Sequence, residues 1–134
     1  MSATGAGGPR PGSRGRRRRI SRSADFERVY REGRSHASRL LVVYAFPRRS
    51  DGDPRLGVSV GRRVGNAVER NRVKRMLREA FWSLAPRLPA EHDFVLVARP
   101  DTGPLARDRG EAGIEAALRE LVSEAGLLSP EGSS

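Results

Sequence analysis

Val64-Gly-Asn-Ala-Val-Glu-Arg-Asn-Arg-Val-Lys-Arg-Met-Leu-Arg78, running on through Glu79-Ala-Phe-Trp82, reads as one two-faced helix. Asn66 suits the N-cap, and Glu69 three residues later completes a capping box. Val73, Met76, Leu77, Ala80, Phe81 and Leu84 follow the spacing of a buried stripe. At 100° per residue, Asn71, Arg72, Lys74, Arg75 and Arg78 fall on the opposite side, while Arg70 lies near the edge of the stripe. From Gly61 to Arg78 the cations are Arg62, Arg63, Arg70, Arg72, Lys74, Arg75 and Arg78, against the single acid Glu69. A solvated helix face ordinarily mixes signs, and unneutralised cations on one face repel each other. A polyanion that relieves this repulsion fits better than solubility alone.

The whole chain points the same way. Its 134 residues suit one domain with tails, and its net charge is +10. That charge draws nucleic acid or an anionic surface. Twenty-five of the 26 basic residues are Arg, a skew that coding bias explains as well as selection does. Cysteine is absent, which removes disulfides, thiolate metal sites and cysteine nucleophiles. No apolar run is long enough to span a membrane, and Arg16-Arg-Arg-Arg19 is not followed by the apolar core of an export signal. A cytoplasmic location is expected.

Outward from the central helix, Leu40-Leu-Val-Val-Tyr-Ala-Phe46, Arg55-Leu-Gly-Val-Ser-Val-Gly61 and Asp93-Phe-Val-Leu-Val-Ala-Arg99 read as strands. Strand, helix and strand make a βαβ unit, so the last two should be parallel. In the second run Leu56, Val58 and Val60 face one way and Gly57, Ser59 and Gly61 the other. The bare face leaves room for something flat, or for a closely packed helix. Upstream, Phe26, Val29 and Tyr30 line one side of a short helix between Ser23 and Gly33. Those aromatics are core, or a partly exposed stacking platform. Residues 101 to about 110 read as a loop, and Ile114, Leu118, Leu121, Val122 and Ala125 mark a final helix ending near Gly126. The Gly/Arg/Pro-rich residues 1–18 read as a disordered basic arm, 19–126 as the domain and 127–134 as a disordered tail. Seven acids against three Arg beyond Pro100 should keep the C-terminal end away from the anion.

No catalytic constellation emerges. His36 and His92 show no convergence, and Asp51, Asp53, Asp93 and Asp101 are explained by turns and strand ends more simply than by a metal site. An autonomous nuclease is disfavoured, and an RNA-binding module of the ribosomal-protein kind stays open.

The motif Val64-x-x-Ala67-x-x-Arg70-Asn71-Arg72-Val73-Lys74-Arg75-x-Leu77-Arg78 resembles the signature of the bacterial ribonuclease P protein subunit. Ser23-Ala-Asp-Phe-Glu-Arg-Val-Tyr30 with Gly33, Leu56-Gly-Val-Ser-Val60 and Asp93-Phe-Val-Leu-Val-Ala-Arg99 resemble the family's flanking elements in the right order. The resemblance covers roughly residues 19 to 122. It implies an α+β sandwich of order α-β-β-β-α-β-α, with a mixed four-stranded sheet and a left-handed βαβ crossover, against the general right-handed rule. It further implies a protein cofactor of a ribozyme: the RNA subunit cleaves precursor tRNA with magnesium, and the protein binds that RNA and the 5′ leader. One protein monomer per RNA, with no small-molecule substrate, follows from the same resemblance. Carried onto this chain, Arg62, Arg63, Arg70, Asn71, Arg72, Lys74, Arg75 and Arg78 are expected to face the RNA subunit. Phe26, Tyr30, Tyr44, Gly57 and Ser59 are expected to line the leader cleft. Arg62-Arg63 stands where many relatives carry Lys, and Tyr30 where Phe is common.

Overall fold

A computed structural model describes residues 19–20, 23–47 and 54–129, so the arm expected at 1–18 lies outside the described residues. The elements in order are α1 (Ser23–Glu32), β1 (Arg34–Ala37), β2 (Leu41–Pro47), β3 (Arg55–Val60), α2 (Ala67–Leu84), β4 (His92–Ala98) and α3 (Thr102–Glu124). Short 3-10 turns, Arg62–Val64 and Ala85–Arg87, flank α2. The sheet order is β1-β2-β4-β3, antiparallel except for the parallel β3–β4 pair. That pair is the one the βαβ reading requires.

Alternation along the strands divides the interior into two layers. Leu41, Val43, Ala45, Leu56, Phe94, Leu96 and Ala98 face α2 and α3 in the main core. On α2, Val73, Met76, Leu77, Ala80, Phe81 and Leu84 are all buried, as the spacing predicts. Phe81 meets Phe94 at a ring separation of 5.3 Å. The opposite sheet face carries a smaller cluster of Ile20, Val29 and Val95, with Phe26, Tyr44, Phe46 and Val97 packed against it under α1. Helices on both faces of one mixed sheet make the expected sandwich.

Three features depart from the pattern reading of the residues. β1 is exposed along most of its length, so it shows no apolar alternation, and only the resemblance supplied this strand. The loop expected at 101–110 is instead the first half of α3, separated from the second half by Gly110 at φ 61°, ψ −149°. Gly103 and Pro104 look like breakers there. Pro is tolerated in a first helical turn, and a methyl on Gly103 would lie 2.3 Å from the Val64 carbonyl oxygen, so glycine permits this half-helix to close on the α2 entrance. Past Gly126, Leu127 and Leu128 pack against the core, and Ser129 exchanges hydrogen bonds with Arg87 at 2.8 and 2.9 Å.

Asp93, counted among the candidate metal carboxylates, is 2% exposed and takes a two-pronged hydrogen bond from Arg55 at 2.9 and 2.7 Å. That bond holds the Arg55 guanidinium above its ordinary pKa, partly against desolvation. A buried carboxylate demands such a partner. Among the described residues no three of His, Cys, Asp and Glu converge as a metal ligand set.

Candidate nucleic-acid interface

α1 brings Phe26 and Tyr30, one helical turn apart, onto the sheet face, with ring centroids 6.2 Å apart. Tyr30 then meets Tyr44 of β2 edge-on at 4.8 Å and 73°. Tyr30 remains 39% exposed, and partial burial pushes its phenol above the ordinary value, opposed by a hydrogen bond with Ser59. A groove of about 350 Å³ runs between α1 and β3, lined by Ser23, Phe26, Glu27, Tyr30, Val58, Ser59, Val60 and Lys74. Of the expected cleft residues, Phe26, Tyr30 and Ser59 reach this groove, while Tyr44 backs Tyr30 from the sheet. Gly57 is different. A methyl there would stand 2.7 Å from two ring carbons of Phe26, so the bare backbone expected to receive a ligand already seats an aromatic ring of the protein itself.

Residue-by-residue reading placed Val58 and Val60 on the strand face opposite Gly57 and Ser59; both pack against the main core and also border the groove. They border it because β3 is the sheet's last full strand. Among the described residues, its outer side carries the Arg19 bridge to Leu56 and the Ile20 N–H donated to the Leu56 carbonyl at 2.9 Å. It also separated Lys74 from the cleft. In the structure Lys74 stands at the groove wall, half-buried, so it joins the aromatic surface to the cationic one.

The cationic surface starts on the 3-10 turn, where Arg62 and Arg63 are exposed. On α2, Asn71, Arg72 and Arg75 are exposed, while Arg70, Lys74 and Arg78 are half-buried along its flanks. Among the described residues no ion pair engages any of these seven cations. Arg78 is held below its ordinary pKa by desolvation and by the neighbouring charge of Arg19. Arg19 is thus a further cation of this surface, which no motif marked. The helix itself is secured by the expected box: the Glu69 N–H donates to Asn66 Oδ1 at 2.8 Å, and the Asn66 N–H donates to Glu69 Oε1 at 2.9 Å.

A one-signed helix face beside an aromatic groove suits RNA: guanidinium and ammonium groups for phosphates, rings for bases. Comparison with known proteins makes the reading specific. The Ribonuclease P family pattern matches residues 15–125. The chain belongs to the ribonuclease P protein family.

It is 38% identical over 112 residues to the ribonuclease P protein component of Shouchella clausii, covering 84% of this chain and 88% of that one. It is 37% identical over 112 residues to the Clostridium novyi component, covering 83% and 96%. Among solved structures, the Staphylococcus aureus RNase P protein is 34% identical with a TM-score of 0.73, covering 84% of this chain and 98% of that one. The Thermotoga maritima RNase P protein is 27% identical with a TM-score of 0.71, covering 79% and 96%. Membership makes this ribonuclease P protein a subunit of the RNase P endoribonuclease, a ribonucleoprotein of tRNA processing. It also sets aside the ribosomal-protein reading.

Proposed function

We propose that the cationic face of α2 docks the ribonuclease P RNA subunit and that the aromatic groove receives the 5′ leader of precursor tRNA. The observation that carries this reading is the position of Lys74, at once on the cationic helix and in the wall of the groove. A strand whose bases stack at Phe26 and Tyr30 would meet a cation within the same groove and further cations along the helix. The RNA subunit, with its magnesium, performs the cleavage in this reading, and the protein contributes position and charge neutralisation. One protein monomer serves one RNA, in the cytoplasm. Among the described residues no helix is long and apolar enough to cross a membrane.

Reconstitution with the cognate RNA subunit tests the reading. Cleavage of precursor tRNA at low magnesium is expected to depend on added protein, because protein cations replace part of the screening that magnesium gives at high concentration. Equal rates with and without protein at low magnesium would refute it.

The groove has its own test. Tyr30→Ala is expected to weaken binding of leader-bearing precursor by about 1–3 kcal/mol, the worth of one lost base stack, while sparing mature tRNA. Tyr30 is the cleaner choice, because Phe26 also covers Gly57. Equal losses for precursor and mature tRNA, measured by titration against the holoenzyme, would remove the leader from this groove.

A further inference from the structure

The stretch from Gly61 to Arg78 contains a single carboxylate, Glu69, and both of its oxygens are committed. Oε1 accepts the Asn66 backbone N–H at 2.9 Å, and Oε2 accepts from Arg107 Nη1 at 3.2 Å. Arg107 comes from the first half of α3. That half-helix is brought to the α2 entrance by Gly103, which fits against the Val64 carbonyl with no room for a side chain. Gly65 sits equally close to Glu69, where a methyl would lie 2.4 Å from Oε1. The loop carrying Arg62 and Arg63, the first turn of α2 and the start of α3 therefore meet around one carboxylate.

We infer that Arg107 is a positioning residue for RNA binding: it cancels the charge of Glu69 at the edge of the cationic face and pins the turn from which that face begins. Nothing in the motif requires Arg107, which lies 38 residues from Glu69 and in a stretch without a basic pattern. An uncovered carboxylate among Arg62, Arg63 and Arg70 would repel the phosphates those residues attract. It would also be free to leave the capping box, loosening the first turn. The inference rests on the reading that the α2 face contacts the RNA subunit.

The test is affinity for the ribonuclease P RNA subunit, measured with the full-length protein, in R107Q, R107K, E69Q and the double variant E69Q/R107Q. Gln at position 69 keeps an oxygen for the Asn66 N–H but carries no charge to cover. R107Q is expected to bind about three- to fivefold more weakly, on the scale of one exposed ion pair. R107K should recover part of the loss, and E69Q/R107Q should bind within about twofold of E69Q. Wild-type affinity in R107Q overturns the inference. So does an undiminished loss in the E69Q background, because Arg107 would then act on phosphate directly or through the fold alone. A variant that melts earlier but binds normally counts against it equally. The underlying reading fails separately: if Arg72→Ala and Arg75→Ala leave affinity unchanged, the α2 face itself is not the contact.

Discussion

R72A/R75A is expected to flatten the salt dependence of RNA binding by about 1.4 to 1.8 units of log affinity per log salt, with no change in melting temperature. Each cation that neutralises a phosphate releases condensed counterions, and each such contact contributes about 0.7 to 0.9 to the slope. Arg72 and Arg75 are both exposed, and neither is held by a carboxylate among the described residues. Their guanidinium groups are therefore available to phosphates without breaking a contact inside the protein. The fold should not notice their removal, because the side of α2 that packs is the stripe from Val73 to Leu84. Titration against the RNA subunit from low to moderate salt reads the slope, and circular dichroism reads the fold. An unchanged slope in a normally folded double variant would exclude these two residues from the interface.

Arg55→Ala is expected to cost about 3–5 kcal/mol of stability, the range for removing one partner of a buried ion pair. It should lower the melting temperature by on the order of 15 °C. The two groups are unequally exposed: the Asp93 side chain is 3% exposed and that of Arg55 29%. Losing the arginine removes both charge-assisted hydrogen bonds from a buried carboxylate, whereas losing the aspartate leaves a guanidinium that can turn partly outward, so Asp93→Ala should cost less. Replacing both together, as Arg55→Met with Asp93→Leu, should recover most of the loss, since an apolar pair of similar volume avoids the desolvation of either charge. Chemical denaturation of the four proteins gives the comparison. A single Arg55→Ala variant as stable as the parent would show that the pair contributes nothing to holding β3 against β4.

Much of the architecture was legible along the chain. The two faces of α2 follow from a repeat of 3.6 residues, and its start from the chemistry of Asn66 and Glu69 across three positions. β2, β3 and β4 stand out as β-branched and aromatic runs, each found within one residue of its expected bounds. β1 was not legible from its residues, because an exposed edge strand has no buried side to impress a pattern on Arg34–Ala37. Nor was the first half of α3, where Gly103 and Pro104 resemble a loop until the Val64 carbonyl that Gly103 packs against is known.

The site divides along the same line. That the central helix is cationic on one side and that aromatic residues precede it are local facts, available from spacing and charge. Only the folded chain decides that Phe26 occupies the bare backbone at Gly57, that Lys74 enters the groove, that Arg19 comes beside Arg78 and that Arg55 and Arg107 each find a carboxylate 38 residues away. Periodicity reports which side of an element seeks the interior, because that depends on neighbours one turn or two residues away. Which groups then meet depends on how helices and strands close on one another, and no repeat within a single element carries that information.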